Sequence, residues 1–345
     1  MTPRSATAAP GGGEPAAPGA VPRAVRTVRG AAVHPITRRL LSVPVTVAGA
    51  ALLIWALLPL APGDPARMTL TAQGVPEPTP DQLAATRAEL GLDRSLPGQF
   101  GQWLVRALHG DLGTSYQSGR PVLTELGERL PATMRLGCAA LVFALAIAVP
   151  LALVAAAYRR RWPDALARAL ALLGAALPGF VVGLILIQLV VVRGGIGSVV
   201  LDGSWAAVWM PALCLAFGMF DVWSRLLRGA LVDALDSGWA ASVVARGTGS
   251  RRLLLRHALP NALPPLIHAV AVSAGALWGG AAIVETVFTW PGAGSYVVSS
   301  VKARDLPVVQ AFAVLATLAY VATSLLADLL AAVVDPRQRG HGKGV

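Results

Sequence analysis

An all-α membrane protein with six transmembrane helices is the fold class this sequence predicts, on three observations. Of its 345 residues, 55% are hydrophobic and 14% are charged, whereas about a quarter are charged in soluble domains. Six apolar stretches, near 39–61, 134–157, 166–192, 205–227, 263–288 and 308–334, reach the roughly 20 residues that a bilayer crossing needs. Lys and Arg gather on one side of that arrangement: six in 1–39, four in 158–168, six in 225–262 and three after 334, or 19 of 29. Basic residues accumulate in cytoplasmic loops, so six spans place both termini in the cytoplasm, in a multi-pass protein of the cell membrane. The net charge of +11 then marks a membrane side and gives no reason to expect nucleic acid as a partner.

Residues 1–36 are rich in Ala, Pro and Gly, lack the apolar content to order themselves, and read as a cytoplasmic tail. That tail is too long for a signal-peptide n-region and no small-residue cleavage site follows it, so the first span, 37–62, is expected to be an anchor. A long external loop, 63–133, follows. In "TPDQLAATRAELG", Thr79 is placed to cap a short helix, Pro80 to start it and Gly91 to end it. In "SLPGQFGQWLVRALHG", Phe100, Trp103, Leu104 and Leu108 share one helical face and Gly110 ends the run. This second helix is expected to lie on the membrane surface or over the pore mouth. A five-helix core, 134–334, carries GxxxG pairs at Gly179/Gly183 and Gly275/Gly279, read as helix packing. A short cytoplasmic tail, 335–345, completes the chain.

The candidate chemistry is sparse. "GHGKGV" lacks the spacing and the Ser or Thr of a phosphate-cradling loop, and there is no HExxH, CxxC or GxSxG. Catalytic residues, cofactors and metals are therefore not expected. Cys138 and Cys214 lie in apolar runs and read as packing residues. Acids within apolar spans are costly and count as functional candidates; they are Asp221, Glu285 and Asp328. Arg225, four residues after Asp221, is placed to neutralise it. Glu285 precedes "TVFTWPGAG", where Trp290 suits the membrane interface and the Pro and Gly residues suit a turn, leaving gate and anchor both open. Asp328 sits near the inner end of the last span. None of the three pairs with an acid or a His at helical spacing, which leaves a proton- or ion-coupled secondary carrier as the alternative reading. A membrane scaffold or receptor is a third.

The cytoplasmic loop 228–262, between the fourth and fifth spans, is the most patterned segment. Small and aliphatic residues run over 240–246, Gly247 and Gly249 break the run, Ser250 is placed to cap a second helix, and Asn261 and Pro264 lead into the fifth span. From Gly247, nine residues precede His257, then any residue, then Leu259 and Pro260. That spacing resembles the EAA loop of type I ABC importer permeases. The resemblance extends through "LAPGDPA", "AELGLDRSLPGQFGQWL", "HGDLGTSYQSGRPV", "ERLPATMRL", "VETVFTWPGAGSYV", "ARDLPVVQAF" and "DPRQR", spanning roughly residues 38–339. Together these segments resemble the first permease subunit of dipeptide, oligopeptide and nickel importers.

The resemblance implies a pore shared with a second, homologous permease subunit, two cytoplasmic ATP-binding subunits beneath it and an extracytoplasmic substrate-binding protein above. It implies no ATPase activity in the chain itself. Ala241, Ser242 and Val243 stand in the place of the Glu-Ala-Ala triplet and Gly247 in that of its Gly, so the Glu is missing here. The third loop, "RGGIGSVVLDGS", is also shorter and less patterned than the family's.

Overall fold

The structure, a computed structural model, describes residues 35–57, 63–198 and 200–334. The two terminal tails, apart from residues 35 and 36, lie outside them. Among the described residues all regular structure is helical, with a single bridge between Thr114 and Pro121. Helix α1 (Pro35–Leu57) holds a short apolar stretch, Val43–Leu53, and covers the expected first span except for 58–62, which lie outside the described residues.

The segment expected to be external contains α2 (Pro65–Ala72), α3 (Pro80–Glu89) and α4 (Leu96–Leu108). At α3 the Thr79 hydroxyl accepts from the Gln82 N–H while the Gln82 side chain accepts from the Thr79 N–H, a reciprocal cap. Gly91, with φ +68°, follows the helix as expected. Helix α4 docks on other helices: Phe100, Trp103 and Leu104 pack with Val47, Ala51 and Trp55 of α1 and with Val314. Leu108, expected on the same face, points outward at 78% exposure, because the face rotates away over the last turn.

Helix α5 (Val122–Ala157) starts twelve residues before the apolar stretch expected at 134, shortening the loop. Its 36 residues reach about 54 Å at 1.5 Å per residue, well beyond a hydrocarbon core of about 30 Å. The third and fourth stretches are bent where single spans were expected. Helix α6 (Trp162–Ala176) meets α7 (Gly179–Leu186), which continues as a π-helix over Ile187–Arg193, at 95°. The cause is Pro178, which holds Leu177 extended at ψ 120°. Helix α8 (Trp209–Phe217) meets α9 (Phe220–Leu235) at 54°, across Gly218 and Met219. Helices α10 (Gly238–Ala245), α11 (Ser250–Arg252), α12 (Leu259–Val287), α13 (Ala293–Ala303) and α14 (Leu306–Val334) complete the chain.

Besides large buried residues such as Trp223, Phe288, Leu136 and Leu227, the packing relies on a small-residue face. Small residues are inside: Ala140, Ala144, Ala148 and Ala152 form a buried line along α5, which packs on α8 and α9. Large aliphatic residues such as Val142, Leu172 and Leu189 face outward. Helices solvated by hydrocarbon gain little from burying leucine and associate through close backbone approach instead. The first GxxxG pair works in this way, since a Cβ at Gly179 or Gly183 would crowd the Cys214 carbonyl or sulfur of α8 at 3.1 and 3.0 Å. Only Gly275 of the second pair does so, against Thr323 and Tyr320 of α14; Gly279 faces open space.

Gly275→Val is therefore expected to force α12 from α14 and lower stability by about 1–3 kcal/mol, read as a lower thermal midpoint in detergent. Gly279→Ala should leave the midpoint unchanged or raise it.

Candidate functional site

The loop between α9 and the fifth span presents α10 almost bare. Of its eight residues only Ala240 is buried; Ala241 and Ser242 are exposed, Val243 is half-buried, and Trp239 and Val244 also reach the surface. The helix closes at Arg246, and the Gly247 N–H donates to the Val244 carbonyl at 2.9 Å. Gly247 has φ +81°, and a Cβ built on it would touch nothing within 4 Å. The glycine is thus required by backbone conformation; crowding plays no part. Gly249, and not Ser250, occupies the cap position of the next helix, with Ser250 its first residue.

From Ser250 the chain passes Asn261 and Pro264 without a break. Helix α11, a π-helical stretch over Leu253–Ala258 and α12 form one continuous helix, Ser250–Val287, of 38 residues. Pro260, without an N–H, is tolerated in the first turn of α12, immediately after the π stretch. The Asn261 side-chain amide donates to the His257 carbonyl at 2.7 Å, adding a bond across the transition. His257 and Leu259 are half-buried and Pro260 exposed. Arg246, Arg251, Arg252 and Arg256 all face outward and make no ion pair among the described residues.

At the far end of this helix stands Glu285, fully buried. Its Oε1 accepts from the Thr133 hydroxyl at 2.7 Å and its Oε2 from the Ser295 N–H at 2.8 Å. Thr133 Oγ1 in turn accepts from the Ala293 N–H at 2.9 Å. The carboxylate thereby lies on the N-terminus of α13, where free N–H groups and the helix dipole favour negative charge, and joins α5, α12 and α13. A Cβ at Gly292 would overlap it, and one at Gly294 would stand 2.6 Å from the Ala282 backbone. Trp290, expected at the membrane interface, is instead fully buried, its indole N–H donating to the Ala132 carbonyl at 3.0 Å.

Asp221 is buried in the first turn of α9 and accepts from Arg225 Nη2 at 3.0 Å, the local pair expected from the spacing. Asp328 lies on α14, its side chain outside the described residues. Asp221 and Glu285 have separate sets of partners and share none.

Several residues escaped sequence reasoning. Asp164, buried at the start of α6, holds Arg228 of α9 through two contacts of 2.8 Å and accepts from the Arg160 N–H at 3.0 Å. Asp305 takes the Ser115 hydroxyl and the Tyr116 N–H, pinning the external turn to the start of α14. Glu125 bonds Tyr296, over whose ring Arg129 sits at 4.0 Å. Burial and that hydrogen bond push the Tyr296 phenol upward from its ordinary range. Thr133, Asp305 and Glu285 all fall within the quoted segments "ERLPATMRL", "ARDLPVVQAF" and "VETVFTWPGAGSYV".

Replacing Thr133 by Val keeps its shape and leaves both the Glu285 carboxylate and the Ala293 N–H short of a partner. The expected loss is about 2–4 kcal/mol, measured by thermal unfolding in detergent, with Thr133→Ser close to wild type.

Comparison with known proteins bears directly on this arrangement. Residues 148–340 match the family described as binding-protein-dependent transport system inner membrane component, and residues 33–137 match its N-terminal counterpart. The glutathione transport system permease protein GsiC of Salmonella paratyphi A is 35% identical over 304 residues, covering 88% of this chain and 98% of the relative. The probable D,D-dipeptide transport system permease protein DdpB of Escherichia coli K12 is 36% identical over 327 residues, covering 86% and 95%. These matches set aside the ion-driven secondary carrier. With its bare α10, continuous 38-residue helix and hydrocarbon-solvated packing, the chain belongs to the inner-membrane permease components of binding-protein-dependent ABC transport systems.

Proposed function

We propose that this chain is one half of the pore of an ATP-driven importer for short peptides of the glutathione or dipeptide kind. A second, homologous permease completes the pore, two ATP-binding subunits sit on the cytoplasmic side at α10, and a substrate-binding protein delivers from outside. Both termini of the chain lie in the cytoplasm, with the basic loop. The observation that carries this reading is the unbroken helix from Ser250 to Val287, with an exposed helix joined at one end and a buried carboxylate junction near the other.

Ala241, Ser242, Val243 and Gly247 form the contact with the ATPase, while His257, Leu259 and Pro260 carry its displacement into the fifth span. A rigid helix is needed because the transmitted free energy is substantial. Moving a two-state pore from 1:99 to 99:1 requires about 5.5 kcal/mol of differential interaction. A loop that yielded at Asn261 would dissipate part of that. ATP binding closes the ATPase dimer, α10 moves with it, and the population shifts from inward-open to outward-open; hydrolysis reverses the shift. In this scheme Glu285 and Asp221 are anchors that keep helices α12 and α9 in register with their neighbours.

In vesicles containing all partners, uptake is expected to require ATP and the binding protein, and to continue when the proton gradient is collapsed. Gly247→Val forces a branched side chain into a left-handed conformation and aims it at the partner. Uptake should fall by about tenfold or more, the equivalent of about 1.4 kcal/mol of coupling, with membrane insertion unchanged and ATP hydrolysis persisting. Wild-type uptake by this variant would refute the role given to α10.

A further inference from the structure

A cavity of about 180 Å³ lies between the external segment and the helices beneath it, lined from α1, α3, α4, the turn near Tyr116 and α14. Three of its lining residues carry buried N–H donors without an acceptor among the described residues: Trp55 Nε1, Trp103 Nε1 and Gln310 Nε2. Trp103 and Gln310 are only 7% and 6% exposed. Buried donors are ordinarily paired, and three in one cavity, from three different helices, is a concentration of unmet donors.

The chemistry of that lining selects its occupant. An indole nitrogen donates and never accepts, and guanidinium is a permanent cation with donors alone. Arg106 stands on the cavity wall, exposed, with no ion pair among the described residues. Tyr116 lines it as well, its phenol pushed up to about 12 by burial and by Asp305 nearby, so it keeps its proton. The one carboxylate on the wall is Glu89, at the exposed end of α3. Thr114 and the amides of Gln99, Gln102 and Gln310 can also accept, but the buried side-chain atoms left unpaired on this wall are all donors. A carboxylate only accepts, at about four sites, and matches three N–H groups and a guanidinium. The volume corresponds to roughly six waters at about 30 Å³ each, enough for a small acid or the end of a short peptide.

We propose that this cavity, bounded by Trp55, Trp103, Gln310 and Arg106 where the segment 63–121 meets α1 and the start of α14, binds the carboxylate of a small organic acid or short peptide.

The test uses the full chain purified in lipid nanodiscs and equilibrium dialysis with radiolabelled N-acetylglycine, the neutral N-acetylglycinamide and inorganic phosphate. Saturable binding of N-acetylglycine, at least about tenfold tighter than either comparison ligand, is expected; tenfold corresponds to about 1.4 kcal/mol. Trp103→Phe and Gln310→Leu should each weaken it severalfold while leaving the helical signal unchanged. Absence of saturable binding, equal binding of the amide, or tighter binding of phosphate would overturn the proposal. Those comparisons use wild-type protein, so they stand even if a variant fails to fold. Because no uptake is measured, failure here leaves the transport assignment intact, and failure of ATP-driven uptake leaves this site standing.

Discussion

A helix solvated by hydrocarbon gains almost nothing by burying a leucine, and the architecture follows from that constraint. Association has to come from close backbone approach and from polar groups that find no other partner. Both are visible. The alanine line of α5 and the contacts at Gly179, Gly183 and Gly275 bring helix backbones together. Enclosed carboxylates supply direction: Glu285 ties α5, α12 and α13, and Asp164 ties α6 to α9. A buried charge with one partner removed is strongly unfavourable, so each cluster holds one arrangement of helices and penalises the others.

These fixed points give the long helix its mechanical meaning. Near its C-terminal end Glu285 sits against α13, and beyond its N-terminal end Gly247 makes the turn to α10. Between them the helix passes through Pro260, Pro264 and Pro265 without a break. The first is tolerated at the helix start after the π-helical stretch; the other two are carried through while the surrounding helices hold the chain in place, since freed carbonyls inside a membrane bundle find other donors. The helix that follows α10 thus enters the core as a continuous element, whereas the bent pairs α6–α7 and α8–α9 have joints at Pro178 and Gly218.

The sequence made the helical class, the apolar stretches, the Thr79 cap and the basic loop with its glycine legible, because each depends on local composition or spacing. Hydropathy counts length without direction, so the bends at Leu177–Pro178 and Gly218–Met219 went unseen. The start of α5 was hidden for the opposite reason: its first turns carry charge and extend beyond the apolar run. Thr133 with Glu285, and Ser115 with Asp305, are 152 and 190 residues apart. No helical period links them, although each stood within a segment that resembled the family.

The missing glutamate of the loop acquires a physical sense from the exposed surface around it. Trp239, Ala241 and Val244 give α10 an apolar exposed surface, and Arg246, Arg251, Arg252 and Arg256 stand nearby without ion pairs among the described residues. Protein interfaces are commonly apolar at the centre and polar at the rim. An alanine at 241 suits such a centre, because a glutamate there would be desolvated on contact and would need a cation from the partner. In the contact proposed for α10, charge is left to the surrounding arginines, which can steer association while remaining hydrated. The contact proposed for α10 would then call for an apolar groove bordered by acids on the partner, opposite in sign to one that would receive a glutamate.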